Sequence, residues 1–171
     1  MIQPIYLYGS EVLRKKAAEA DLSKKEEISA LVQDLKDTLT RADGCGLAAP
    51  QIGVSLRVVI VDGDVVSDMY DYLKDFRRVI INPEILEESA EKVTYSEGCL
   101  SIPNLYCDVV RPARITLRYY NENLEQVTET LDKFAARMVQ HELSHLDGNL
   151  FTDNVPPIRK KMLSSKLQNI A

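Results

Sequence analysis

His141 and His145 are the only histidines in the chain, and Glu142 directly follows the first of them. Positions four apart on a helix lie on one side, one turn above the other. Two imidazoles spaced this way converge on a single metal ion. Glu142, about 100° further round the helix, reaches a water held by that ion. This is the H-E-x-x-H arrangement, two ligands plus a general base. The competing reading is a pair of satisfied core histidines that happen to be neighbours; the helical context favours the metal. Phe134, Met138, His141 and His145 fall on one face of a helix that starts at Asp132, with Gly148 as its stop.

A catalytic site of this kind takes three protein ligands and leaves a fourth position for water. Downstream, where H-E-x-x-H proteases find their third ligand, the options are nearly empty. Gly148 fits the x-x-G-x-x-H continuation, but Phe151 stands where its histidine would be. No glutamate follows Glu142, and the only later acids are Asp147 and Asp153, close to the helix end. Upstream, Glu97-Gly98-Cys99-Leu100-Ser101 offers a thiol at the end of a strand-like run. Alone, Cys99 reads as a small core residue. Beside two histidines that lack a partner it reads as the third ligand, since coordination would deprotonate the thiol outright. Cys107, inside an alternating strand, reads as structural.

The elements that must position these groups are legible in outline. Ser23 followed by Glu26 has capping-box spacing, and Ile28, Leu31, Val32, Leu35 and Leu39 form one face of a helix ending near Gly44. Short β-rich runs follow at Arg57–Asp62, Val79–Leu86, Tyr106–Arg111, Arg114–Tyr120 and Gln126–Leu131, with a turn at Asn121–Asn123. The segment 65–78 resists assignment. After Pro156 and Pro157 comes a last amphipathic segment carrying Ile158, Met162, Leu167 and Ile170. A helix, a run of strands, then helices predicts an α+β domain, with residues 1–171 as one unit. Gly44-Cys45-Gly46-Leu47-Ala48-Ala49-Pro50-Gln51 reads by itself as a helix cap running into a small-residue turn. It lacks the spacing and the closing Lys-Ser/Thr pair of a phosphate loop.

Composition narrows the class. The 171 residues are 45% hydrophobic and 27% charged, the balance of an ordinary globular domain with a core of its own. A net charge of -5 argues against a broad nucleic-acid footprint. No apolar run approaches a bilayer span, and Met1–Ser10 has no secretion-signal pattern. Three cysteines at irregular spacing make a poor disulfide framework and fit a reducing cytosol.

Taken together, GCGLAAPQ, EGCLS and HELSH, in that order and at these separations, resemble the peptide deformylase family, whose patterns are G-x-G-L-A-A-x-Q, E-G-C-L-S and H-E-x-x-H. The resemblance covers most of the chain, including Ile81-Asn82-Pro83. It implies small mixed and antiparallel sheets wrapped around a central helix that bears the H-E-x-x-H. It implies hydrolysis of the N-formyl group of formylmethionyl nascent chains, with release of formate and Cys99, His141 and His145 holding one divalent metal ion. Glu142 would act as base and then acid, while the Gln51 amide and the Leu100 backbone N–H would donate to the oxyanion. Gly46 would contact the peptide backbone, and Tyr95, Glu97 and Met138 would line a methionine pocket. Zinc is the default for a tetrahedral nitrogen–sulfur site; the family implies Fe(II) in the cell, with Zn, Ni or Co as replacements. Formylmethionine points to a bacterial cytoplasm.

One departure from the family is Ser144, where aspartate is usual, which leaves Arg111 at risk of losing a carboxylate partner. Cys45, at the variable position of its motif, reads as tolerated variation. The rival functions are an H-E-x-x-H metallo-endopeptidase, which lacks its downstream ligand here, and a binding protein, which would need neither Glu142 nor Gln51. Arg159, Lys160, Lys161 and Lys166 cluster near the C-terminal end. Such a run is usually a solvated helix face; its functional reading is docking at the ribosomal exit.

Overall fold

Apolar residues at helical spacing need a partner surface, and here an antiparallel sheet supplies one on each face. The computed structural model describes residues 1–170. Helix α1 (Lys25–Ala42) is followed by strands β1 (Gly46–Ala48), β2 (Val58–Asp62) and β3 (Arg77–Glu88). Next come the hairpin of β4 (Lys92–Cys99) and β5 (Ile102–Pro112), then β6 (Arg114–Tyr120) and β7 (Gln126–Asp132). Helices α2 (Lys133–Leu146) and α3 (Pro157–Ile170) close the chain. Five strands form one sheet in the order β1-β2-β3-β6-β7, and β4 pairs with β5 in a second. All of these pairings are antiparallel. The result is an α+β architecture.

Strand alternation assigns the two faces of the larger sheet. Val58, Ile60 and Ile81 pack with Ile28, Leu31, Val32, Leu35 and Leu39 of α1. Val59, Val61 and Ile80 face the other way, onto Ala135, Met138, Val139, Leu143 and Leu146 of α2. Leu35 and Leu146 are completely buried, each stabilising the fold by roughly 2 kcal/mol. The opposite side of α2 meets the hairpin, where Arg137 donates to the Val93 carbonyl at 2.7 Å and Gln140 to that of Pro112 at 2.9 Å. Beyond the hairpin, Leu105, Cys107 and Val109 of β5 pack with Phe151 and with Leu163 and Leu167 of α3.

Several local expectations are corrected. Ser23 does not cap α1: its hydroxyl donates to Asp21 at 2.7 Å, and Lys24 is the N-cap. Local side-chain bonds of this kind compete with capping. The helix ends on Asp43 in the left-handed region (φ 60°) rather than on the glycine beside it, a conformation that aspartate tolerates. Strand β5 begins at Ile102, ahead of the expected Tyr106, because a register shift between Gly98 and Cys99 absorbs Pro103 and the left-handed Asn104. The unassigned segment 65–78 holds two short 3₁₀ turns, Gly63–Val66 and Asp71–Leu73, organised around Asp62 and Asp64.

The edge strands of the larger sheet are β1 and β7, and both strands of the hairpin are edges as well. Among the described residues β1 pairs only with β2 and β4 only with β5. Both strands run into the region of the predicted site.

Candidate metal centre

Two elements bring the candidate ligands together: α2 presents both imidazoles, and the end of β4 presents the thiol. The ligand atoms of Cys99, His141 and His145 all lie within 4.8 Å of one another. The Cys99 Sγ is 3.4 Å from His145 Nε2, and the imidazole centroids are 5.2 Å apart. His141 uses Nδ1 on the Glu97 carboxylate at 2.8 Å, which directs Nε2 toward the cluster. The Glu142 Oε1 lies 3.9 Å from that Nε2, and its Oε2 is buried with no hydrogen-bond partner.

This donor set fits a divalent ion. Two nitrogens and a soft thiolate suit zinc, iron, cobalt or nickel, and an unpartnered buried carboxylate oxygen beside them suits a coordinated water. Electrostatics agree. Burial pulls the His141 pKa down, but bonds to Cys99 and Glu97 outweigh it and push it up to about 10; a metal ion bound at Nε2 would displace that proton. Burial holds His145 well below its usual value, in the neutral form a ligand needs. Burial also pushes the Glu142 carboxyl up to about 7, with His141 pulling the other way. A group that exchanges its proton near neutrality suits general acid–base work.

Glu97 holds the support together. Its carboxylate accepts Arg111 Nε at 2.8 Å and NH2 at 3.0 Å, and also Arg137 NH1. Burial would raise its pKa, but bonds from His141 and Arg111 hold it well below the usual carboxylate range. The Arg111 expectation changes accordingly. Arg111 keeps a carboxylate partner despite Ser144, whose hydroxyl donates to the His141 carbonyl at 2.6 Å. Glu97, expected to line a methionine pocket, spends both oxygens on Arg111, Arg137 and His141. Tyr95 is half-buried, edge-on to Phe134 and beneath the Arg137 guanidinium. Met138 is buried against the sheet.

Gln51 lies in the 3₁₀ turn Ala49–Ile52. Its Oε1 accepts the Ala48 N–H at 2.9 Å, which turns Nε2 toward Ser101 Oγ at 3.1 Å and Cys99 Sγ at 3.5 Å. Leu100 forms the turn directly after Cys99. Gly46 lies against Glu142: a Cβ there would meet Oε1 at 2.8 Å and Cγ at 2.9 Å. Gly46→Ala is therefore expected to displace the carboxylate and lower kcat about 100-fold without loss of metal; formate release and metal content on one sample check both. Cys45, next to it, stays a thiol, since burial and then Glu142 push its pKa up to about 12.

Sequence reasoning missed Ser101 and Arg137. Ser101 stood in the quoted EGCLS motif and is completely buried. Arg137 carried a usable signal: a cation on α2 flanked by Ala136 and Met138, on a face too apolar for solvent.

The H-E-x-x-H helix, the upstream thiol and the α+β scaffold define a metallohydrolase. A sequence model of the polypeptide deformylase family matches residues 2–161. The chain is 43% identical over 178 residues to the peptide deformylase of Christiangramia forsetii, covering 100% of this chain and 90% of that one. It is 44% identical over 170 residues to that of Pseudothermotoga lettingae, covering 99% and 92%. The crystal structure of a peptide deformylase from Legionella pneumophila matches with a TM-score of 0.86 at 36% identity, over 99% of this chain and 95% of that one. The chain belongs to the peptide deformylase family and is a hydrolase acting on the N-formyl groups of nascent peptides.

Proposed function

We propose that Cys99, His141 and His145 hold one divalent metal ion, Fe(II) in the cell, and that Glu142 moves the proton in the hydrolysis of formylmethionyl chains. The mutual approach of the three ligand atoms is the observation that carries this reading. A bound ion would lower the pKa of a coordinated water and polarise the formyl oxygen. Glu142 would accept the attacking water's proton and pass it to the departing amine. The Gln51 amide and the Leu100 N–H donate to the developing oxyanion, each such donor giving about 100- to 1,000-fold in rate. Glu97 acts through His141, fixing its ring.

The open edges of β1 and β4 support the substrate's path. An extended peptide laid between β1 and β4 adds to both by backbone hydrogen bonds, with Gly46 on one side. Its first side chain then points inward, toward Tyr95 and Met138. The single domain of residues 1–171 is organised around α2, as the packing of both sheets on that helix supports. A bacterial cytoplasmic setting fits the formylated substrate, and no helix is long and apolar enough to cross a membrane among the described residues. On α3, Arg159, Lys160, Lys161 and Lys166 are exposed beside Ile158 and Met162, a surface suited to ribosomal RNA at the exit. Specific DNA binding is not part of this reading.

A metallo-endopeptidase is disfavoured by Phe151. That side chain, where a downstream ligand would stand, is completely buried with its ring 6.0 Å from that of His141. The test is formate release from a formyl-Met peptide by anaerobically prepared, Fe(II)-loaded protein, with an internal peptide bond as comparison. Formate with an intact internal bond is expected; cleavage of only the internal bond would reverse the assignment.

A further inference from the structure

Strand β3 outruns its neighbour β6. Ile81 pairs with Tyr120, the last residue of β6, and the chain then turns, with the Leu124 N–H donating to the Asn121 carbonyl at 2.9 Å. Residues 77–80 of β3 therefore pair with β2 alone. Alternation fixes where their backbone groups point. The Asn82 N–H donates to the Arg57 carbonyl, just before β2, at 2.8 Å. The Phe76 carbonyl accepts the Gly63 N–H, just after β2, at 2.7 Å. The even-numbered residues thus face β2, and Val79 turns its N–H and C=O the other way. Among the described residues neither of those two groups has a hydrogen-bond partner. The Arg77 carbonyl, on the same side, takes Arg78 NH1 at 3.0 Å.

That edge borders a cavity of about 660 Å³, a size typical of ligand pockets. On one face of the sheet, Leu39 and Ile60 flank Val79. On the other, Arg78 reaches across to Glu129 of β7 at 3.0 and 3.1 Å, and the Tyr119 hydroxyl joins the same carboxylate. Lys36 and Glu122 form an exposed ion pair at the rim, of a kind that holds weakly. The metal-site residues Cys99, His141, His145, Glu142 and Gln51 do not line this cavity. Its cations Lys36, Arg77 and Arg78 are each already paired with a carboxylate, so a charged ligand gains little. An apolar wall beside an unpaired donor and acceptor on one residue matches an uncharged extended peptide, whose backbone offers the reciprocal groups. We propose that this cavity is a peptide-binding site, where an extended, uncharged segment of a partner polypeptide adds antiparallel to β3 in the place that β6 vacates. The segment's central residue exchanges both backbone bonds with Val79 and sends an apolar side chain against Leu39 and Ile60.

The probe is acetyl-Thr-Ile-Thr-amide, titrated into isotope-labelled, zinc-loaded enzyme and followed by the backbone amide resonances. The same peptide N-methylated on its isoleucine is the comparison. The parent peptide is expected to shift the amides of Val79 and Arg77, and N-methylation to weaken its binding about tenfold through the lost backbone bond. Thr40, exposed where α1 lines the cavity, supplies the variant. Thr40→Trp fills the cavity and should weaken the parent peptide by about tenfold or more, with formate release unchanged. Equal affinity of the N-methylated peptide would mean an apolar cavity that takes no account of backbone, and overturns the proposal. So does the absence of any shift at Val79. Competitive inhibition of formate release, with shifts confined to Gly46 and Cys99, would put the peptide in the catalytic cleft and overturns it equally.

Discussion

Glu142→Gln is expected to lower kcat by a factor of about 1,000 or more while leaving the bound metal in place. Glutamine has the same shape, so the contact with Gly46 and the packing of α2 persist. What disappears is the ability to take a proton and return it. The carboxylate is buried, touches no cation except the neighbouring imidazole at 3.9 Å, and leaves Oε2 without a protein partner. A structural carboxylate in such a place would be neutralised by a bonded arginine, as Glu97 is by Arg111 and Arg137. Glu142 has no such partner, so its burial makes sense as a poised base. Formate release against metal content, measured on one preparation, decides the point. Turnover within tenfold of wild type at full metal occupancy would remove Glu142 from the proton path.

How much of this could be read in the sequence follows from the range over which each feature is determined. The α1 face, the alternating β6 and the H-E-x-x-H spacing are set within a few residues, and periodicity reveals them. The candidate ligands are legible because two of the three share one helix, and Phe151, Asp147 and Asp153 leave the downstream options nearly empty. The Glu97 network was not accessible in this way. It joins β4, β5 and α2, and no local pattern says that one carboxylate will serve two guanidiniums and an imidazole. The resemblance implies only a pocket position for Glu97 and says nothing of the charge it supplies inside the protein. The missed cap at Ser23 has the opposite origin. The Ser23–Glu26 spacing is a local rule, and an equally local competitor, Asp21, took the hydroxyl first.

Cys99→Ala should empty the site of metal while preserving the fold. Two imidazoles on adjacent turns of α2 supply only neutral donors, and the thiolate provides the negative charge and the soft ligand. Loss of a group that merely supports a ligand typically costs 10- to 100-fold in metal affinity, so removal of the ligand itself is expected to cost more than about 100-fold. Cys99 is only half-buried at the tip of β4, and truncating it deletes one atom that packs at the margin of the Phe151 cluster. The metal-free variant and metal-free wild type should thus melt within a few degrees of each other. Added metal should then raise the Tm of the wild type alone, because only a state that binds the ion is stabilised by it. Cys45→Ala and Cys107→Ala serve as controls: neither thiol belongs to the cluster of ligand atoms, so both variants should keep their metal. Full occupancy in Cys99→Ala would mean that the ion is held without sulfur. The nitrogen–sulfur chemistry that distinguishes this site from an endopeptidase centre would then have no basis in these residues.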